Sequence, residues 1–436
     1  MTTIPDWMQA WYEDSYQNYK HGPKLQFTDV VPVSDGFVRY DALQESSELP
    51  RVAQIKLNGG LGTSMGCEGP KSLIQCDSSG RSFIDVIVDM HERSPISSHL
   101  VFLNSFNTSS ATSKFLNSTY PDLNWVEVMQ YPFKKINLAT NEPFEEASPN
   151  VLNPPGHGSV YFDLYHSGCL HQLQSDGVDY LFISNADNLA ASCDARIAAY
   201  LKSSNCPFLM ELTPKRETDV KGGTIVKKQG KLTLWEIAQV SSDQMELFQS
   251  QPVFNTNNIW VNVSALIQVI ESNALALDLI LNKKVKDGVS FIQMEYAMGS
   301  AIQSFSDAQA MIVPRSRFFP VKKTSDLFLL LSDFTRFDSS GQLQWDDNRV
   351  INITCEPPFD TVAGFFDHLT VVPSIHELKQ LVLKGEIFFN HQVTLTGDVH
   401  ISLNDSESLV IDESIVTLEN VVYKNGAFSP ILSDFN

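Results

Sequence analysis

Along the chain, apolar residues arrive in short runs, and the residues between them decide what each run forms. Residues 51–57 (RVAQIKL) read as a buried strand that feeds a glycine cluster. Residues 83–93 put Phe83, Ile84, Ile87, Val88 and Met90 on one helical face. Residues 99–105, 179–185 and 207–213 read as further buried strands, and an apolar helical pattern spans 160–174. The first fifty residues scatter aromatic side chains among polar ones, as a helical or irregular lead-in does. Short apolar strands alternating with helices argue for an α/β sheet covered on both faces. In such sheets ligands bind beyond the carboxyl ends of the strands, which directs attention to the residues from Asn58, Ser105, Asn185 and Thr213 onward.

The texture changes after about residue 340. Residues 385–403 alternate apolar and polar positions, with Val393, Leu395, Val399, Ile401 and Leu403 as the apolar set, and 408–426 repeat the pattern. Strands recurring without helices between them fit a small all-β domain, either a solenoid or an antiparallel meander. The expected division is a lead-in over 1–50, a main α/β domain over 51–340 and a β-rich domain over 341–436.

Composition narrows the function classes. Acidic residues number 51 and basic ones 31, a formal charge of −20. That field repels nucleic acid and anionic membranes, so neither is expected as a partner. A site for a polyphosphate must then be locally basic against the global charge. The six cysteines are scattered without a C-x-x-C pair, and they read as reduced thiols. The sequence starts without a basic-then-apolar secretory pattern, and no apolar run approaches ~20 residues. A soluble cytoplasmic protein is the expectation.

The densest chemistry lies in residues 57–73, LNGGLGTSMGCEGPKSL. Five glycines (Gly59, Gly60, Gly62, Gly66 and Gly69) let the backbone approach a ligand, and successive free N–H groups can form an anion-binding nest. Lys71 ends the loop as a point charge suited to phosphates. Pro70 before Lys71 excludes a P-loop, and Met65 stands where a dinucleotide fingerprint starting at Gly60 needs its third glycine.

This stretch, down to its Lys56–Thr63 opening (KLNGGLGT), resembles the signature of eukaryotic-type UTP–glucose-1-phosphate uridylyltransferases, the UDP-glucose pyrophosphorylases. Enzymes acting on N-acetylhexosamine phosphates carry a related loop with a different leading dipeptide, and the match is to the glucose branch. Ordered blocks continue the resemblance: Leu103–Thr108, Pro154–Gly158, Asn185–Leu189, Glu211–Lys215, Val220–Thr224, Phe254–Asn258, Val313–Phe318 and Pro320–Leu327. They cover about 50 to 330. The resemblance implies a Rossmann-like nucleotidyltransferase core with a C-terminal left-handed β-helix, whose exposed end offers a docking surface for a second copy.

The resemblance also implies roles. Leu57, Asn58, Gly59, Gly60, Lys71, Gln130, Gly156, Asp187 and Lys322 are expected at the nucleotide, with Lys71 and Lys322 catalytic. His157, Asn185, Asn257, Glu295 and Lys221 are expected at the sugar phosphate, and Asp187 at Mg²⁺. The residue chemistry agrees: a carboxylate past a strand end suits a hard divalent ion, and Gln130 has the donor and acceptor that a uracil edge requires. Read alone, Asp187 fits a helix N-cap, the asparagines fit turns and a lone lysine fits a solvated surface. The chain departs from the family at Met129–Lys135 (MQYPFKK), where the Tyr-Pro pair is displaced. Neighbouring Lys323 leaves open which lysine of the pair points inward. The implied reaction joins UTP and glucose 1-phosphate into UDP-glucose and pyrophosphate, reversibly and within carbohydrate metabolism. Two rivals remain: a pyrophosphorylase relaxed toward other sugar phosphates, and a non-catalytic UDP-sugar binder.

Overall fold

The computed structural model describes residues 4–22, 30–145, 149–217, 219, 222–424 and 426–431. The chain divides into two compact units that do not follow chain order. The first gathers residues 1–59, 94–185 and 193–315; the second gathers 60–93, 186–192 and 316–436. The change of texture near residue 340 therefore falls inside the second unit.

The first unit is built on an eight-stranded sheet. Its strands in chain order are β1 (Val38–Arg39), β2 (Val52–Asn58), β3 (Ser97–Ser105), β4 (Trp125–Gln130), β5 (Tyr180–Asn185), β6 (Phe208–Pro214), β7 (Val253–Asn262) and β8 (Gln309–Ile312). Their order across the sheet is β1-β8-β6-β7-β5-β2-β3-β4. Every neighbouring pair is parallel except those made by β7, which runs antiparallel to β5 and β6. The continuous apolar runs follow from this: Ile55, Val101, Leu181, Ile183 and Leu212 are almost wholly shielded in one core cluster with the helices at Val160–His166 and Val263–Glu271. The strands expected at 51–57, 99–105, 179–185 and 207–213 all lie in this sheet, within two residues of their ends.

The single helix expected over 160–174 is instead two, Val160–His166 and Cys169–Ser175. Gly168 takes a left-handed φ of 78° between them, which ends the first helix and re-aims the second. The lead-in contains a sixteen-residue helix, α1 (Asp6–His21).

In the second unit the amphipathic helix expected at 83–93 forms as Phe83–Arg93, with Val86 buried beside the expected face. From residue 352 this unit is mostly strands, with one helix, Val362–His368, between the first two: β9 (Asn352–Cys355), β10 (Ser374–Lys384), β11 (Glu386–Phe389), β12 (Thr394–Ser402), β13 (Ser408–Ile411), β14 (Thr417–Lys424) and β15 (Ala427–Pro430). The ladders β9-β10-β12-β14 and β11-β13 are parallel, so the region is not an antiparallel meander; only β15 turns back on β14. Val393, Leu395, Val399, Ile401 and Leu403 are all buried, as their alternation requires. Among the described residues no helix is long and apolar enough to cross a membrane. All six cysteines are free thiols.

Candidate active site

The second unit brings three of the expected residues together over long stretches of chain. Lys71 Nζ donates to Asp187 Oδ2 at 2.8 Å, and Lys322 Nζ donates to the same oxygen at 2.7 Å. Lys71 Nζ also donates to the carbonyl of Val321, and the Val321 amide donates to the Asp187 carbonyl at 3.0 Å. The Asp187 and Lys322 segments are thus joined by main chain as well as by charge, and the glycine loop is tied to both through the Lys71 ammonium.

Burial opposes ionisation of Asp187, but the ammoniums of Lys322 and Lys71 outweigh it and hold the carboxyl below its usual range. Two cations on one carboxylate leave a local positive charge within a chain of −20. The lysines differ in access: the Lys71 side chain is 12% exposed and that of Lys322 is 54% exposed. Asp187 Oδ1 is buried with no hydrogen-bond partner among the described residues, which leaves an anionic oxygen for a cation to take up. One carboxylate, completed by substrate phosphates, fits the way Mg²⁺ is commonly held. Asp187 caps no helix; the next helix, Ala195–Ser204, is capped by Asp194.

Of the paired lysines, it is Lys322 that meets Asp187. Asp326, one helical turn on, explains how it is held. Its Oδ2 accepts the Lys322 amide at 2.7 Å and the Lys323 amide at 2.9 Å, capping the helix Thr324–Leu331 and fixing the backbone that carries Lys322. Sequence reading missed Asp326, although Lys-Lys-Thr-Ser-Asp before an apolar run is a legible helix start.

In the first unit the expected residues sit at strand ends and on one turn, joined by uncharged groups. Gln130, the last residue of β4, donates from Nε2 to the Gly156 carbonyl at 2.7 Å and to Ser159 Oγ at 2.8 Å. Its Oε1 lies 2.8 Å from where a Cβ on Gly59 would stand, so a side chain there would push this amide aside. Ser159, absent from the sequence expectations, is the hydroxyl that completes the turn. Asn58 beside Gly59 has its side chain engaged internally, on Asn104 Oδ1 at 2.8 Å and Thr112 Oγ1 at 3.0 Å. Leu57 pairs with Asn185 across β2 and β5.

His157 is half-buried rather than out on an exposed turn, and its Nδ1 accepts the Met298 amide at 3.0 Å. An acceptor at Nδ1 puts the imidazole proton on Nε2, which becomes a donor. Asn257 Nδ2 donates to Asn185 Oδ1 at 3.0 Å, from a left-handed residue (φ 61°) in the middle of β7. By contrast, Asn258 bonds the buried carboxylate of Glu211, as does the Trp260 indole, which makes Asn258 structural. Glu295 accepts from Asn282 at 2.8 Å, and burial pushes its carboxyl upward. Lys221 lies outside the described residues.

A model of the UTP–glucose-1-phosphate uridylyltransferase family matches residues 7–396. The UTP–glucose-1-phosphate uridylyltransferase 2 of Dictyostelium discoideum is 39% identical over 416 residues, covering 90% of this chain and 82% of its own length. The enzyme so named from Musa acuminata is 38% identical over 417 residues, covering 90% and 88%. Among solved structures, the UDP-glucose pyrophosphorylase of Leishmania major, known in open and closed forms, aligns with a TM-score of 0.82 at 33% identity over 94% of each chain. A UDP-glucose phosphorylase from Trypanosoma brucei aligns at 0.84 and 31% identity, covering 97% and 96%. The ordered motifs, the mixed α/β architecture and a family match over nearly the whole length agree, and the chain belongs to the UTP–glucose-1-phosphate uridylyltransferase family.

Proposed function

We propose that this protein transfers the uridylyl group of UTP to glucose 1-phosphate, forming UDP-glucose and pyrophosphate. The observation that carries the proposal is the corner at Asp187, where two lysines converge on one ionised carboxylate. A phosphate oxygen of glucose 1-phosphate attacks the α-phosphorus of UTP; a new P–O bond forms as the bond to the β-phosphate oxygen breaks. Both partners are already anions at neutral pH, so no base or covalent nucleophile is required, and catalysis comes from positioning and charge neutralisation. Lys71 and the loop amides hold the triphosphate and then the leaving pyrophosphate. Lys322 offsets charge gathering at the α-phosphorus. One phosphoanhydride linkage is exchanged for another, so the reaction runs in both directions.

Asp187 Oδ1 is the atom suited to Mg²⁺, which when bound supplies further charge neutralisation at the phosphates. Gln130 and the main chain at Gly156 meet the uracil edge. Its Nε2 is already engaged with Gly156 and Ser159, which leaves Oε1 as the acceptor for the uracil imide. The His157 Nε2–H, Asn185, Asn257 and Glu295 address the sugar phosphate, with Lys221 a further phosphate contact. The parallel C-terminal ladders favour the reading as a β-helix, and the largely parallel sheet the reading as a Rossmann-like core. A cytoplasmic protein that pairs through its β-rich end completes the proposal.

The test is pyrophosphate release from UTP and Mg²⁺ with glucose 1-phosphate, galactose 1-phosphate or N-acetylglucosamine 1-phosphate. Release that strongly prefers glucose 1-phosphate supports the proposal. Equal rates across sugars point to a relaxed pyrophosphorylase, and nucleotide binding without turnover to a non-catalytic binder.

A further inference from the structure

Helix α1 lies far in sequence from every expected site residue, yet its side chains end on the segment that cradles the Pro155–Gly158 turn. Trp11 stacks on Tyr296 with ring centroids 4.9 Å apart and packs edge-on against Phe133 at 5.0 Å. Ser15, fully buried, donates from Oγ to the Trp11 carbonyl at 2.6 Å. A serine has one hydroxyl proton, so the second contact of that oxygen, 2.7 Å to the Tyr296 phenol, is donated by the tyrosine.

Tyr296 is the end of the strand Val289–Tyr296, and its main chain lies flush on the turn. Its amide donates to the Pro155 carbonyl at 2.8 Å. A Cβ on Gly156 would stand 2.6 Å from the Tyr296 carbonyl oxygen, and one on Gly158 would stand 2.8 Å from the Tyr296 Cβ. Both glycines are therefore required for this fit, the first also by its φ of 78°. Two residues on, the Met298 amide fixes the tautomer of His157, and the residue before Tyr296 is Glu295. Ser15 of α1 thus acts on the turn only through Tyr296.

We infer that α1 is a clamp for the substrate turn and that Ser15 and Tyr296 are positioning residues for the nucleotidyl transfer. The inference rests on the proposal above that Gly156 and His157 meet the substrates. A purely structural helix would lower the melting temperature without changing kinetics selectively; a clamp changes substrate affinity in a folded enzyme.

The experiment compares Ser15→Ala, Tyr296→Phe and the double variant, with His157→Ala as a reference, in the full-length protein. KM for each substrate, kcat and melting temperature are measured for all four. Tyr296→Phe keeps the ring and the main chain and removes only the hydroxyl, so it serves where Ser15→Ala folds poorly. Losing one buried hydrogen bond that orients a binding turn should raise KM about tenfold, with kcat within about twofold. The double variant should be no worse than the worse of the two single ones, because the Ser15–Tyr296 bond is already lost in each. If KM moves with His157→Ala but not with Ser15→Ala or Tyr296→Phe, the clamp is overturned and the turn keeps its role. If KM is unmoved by His157→Ala as well, the turn is no substrate contact and the clamp falls with it. Additive losses in the double variant likewise overturn the coupling.

Discussion

Asp187 and Glu295 are both partly buried carboxylates, and their surroundings move them in opposite directions. At Asp187 burial is outweighed by Lys322 and Lys71, and the carboxyl stays ionised below its usual range. At Glu295 burial prevails over the lysine at 284 and the Asn282 amide, and the carboxyl is raised. The same contrast runs through the residues around each. The Asp187 corner is assembled from charge on residues 116 and 135 positions away. The turn at Gly156 is assembled from amides, hydroxyls and glycines that leave no room for side chains. Phosphates reward charge, whereas a base edge and a sugar reward donors and acceptors at fixed positions.

The sharpest way to break the comparison is to remove the carboxylate that two cations share. Asp187→Ala leaves Lys71, largely buried, without its counter-charge. The loss should approach ~3 kcal/mol of stability, the scale for stripping one partner from a buried ion pair. Denaturant unfolding measures it, and a loss below about 1 kcal/mol would mean that the corner is not held by charge. Lys322→Ala, by contrast, removes a mostly exposed cation and should spare stability. It should lower kcat by at least ~100-fold, as expected for one transition-state donor. A twofold fall in a folded variant would sink Lys322 as the catalytic lysine.

On the uncharged side the expected effects are smaller and fall on affinity. Gly59→Ala pushes a methyl group into Gln130 Oε1 and should disturb the amide that holds Gly156. KM for UTP should rise about tenfold, the scale of one misplaced hydrogen bond, with the melting temperature nearly kept. An unchanged KM would separate Gln130 from nucleotide recognition.

The smallest effect concerns pH. As pH falls, Glu295 takes up its proton above the ordinary carboxylate range while Asp187 is still charged. KM for glucose 1-phosphate should therefore rise on the acid side before kcat falls. Glu295→Gln should flatten that limb, and a limb that persists would assign it to another group. For stability the sign is reversed between the two residues. The raised Glu295 contributes stability present below its unfolded pKa and lost as pH rises through its folded value. The lowered Asp187 contributes stability present above its unfolded pKa and lost as pH falls through its folded value. Melting curves of Glu295→Gln against pH should show its relative gain at the alkaline end.

Much of the sheet could be read from the chain, because strands buried on both faces must be apolar throughout and must stop where polar residues begin. That rule found β2, β3, β5 and β6 and directed attention to Asn58 and Asn185 at their ends. It failed at 160–174, where the apolar period runs on across Gly168 and only the backbone reveals the break. It was silent on the hand of pairing in the β-rich region, since alternation is the same for parallel ladders and for a meander.

The sequence by itself determined the family, through ordered motifs whose glycines, lysines and asparagines have few other reasons to recur together. It also determined that any polyphosphate site must be locally basic against a charge of −20. Tertiary structure alone decided that Lys322 rather than Lys323 meets Asp187, that Asp194 rather than Asp187 caps the following helix, and that Ser15 reaches Tyr296 across 281 residues of chain. These are choices of distance and direction between residues far apart in sequence. Periodicity and motif spacing carry local geometry only, so such choices appear once the chain has packed.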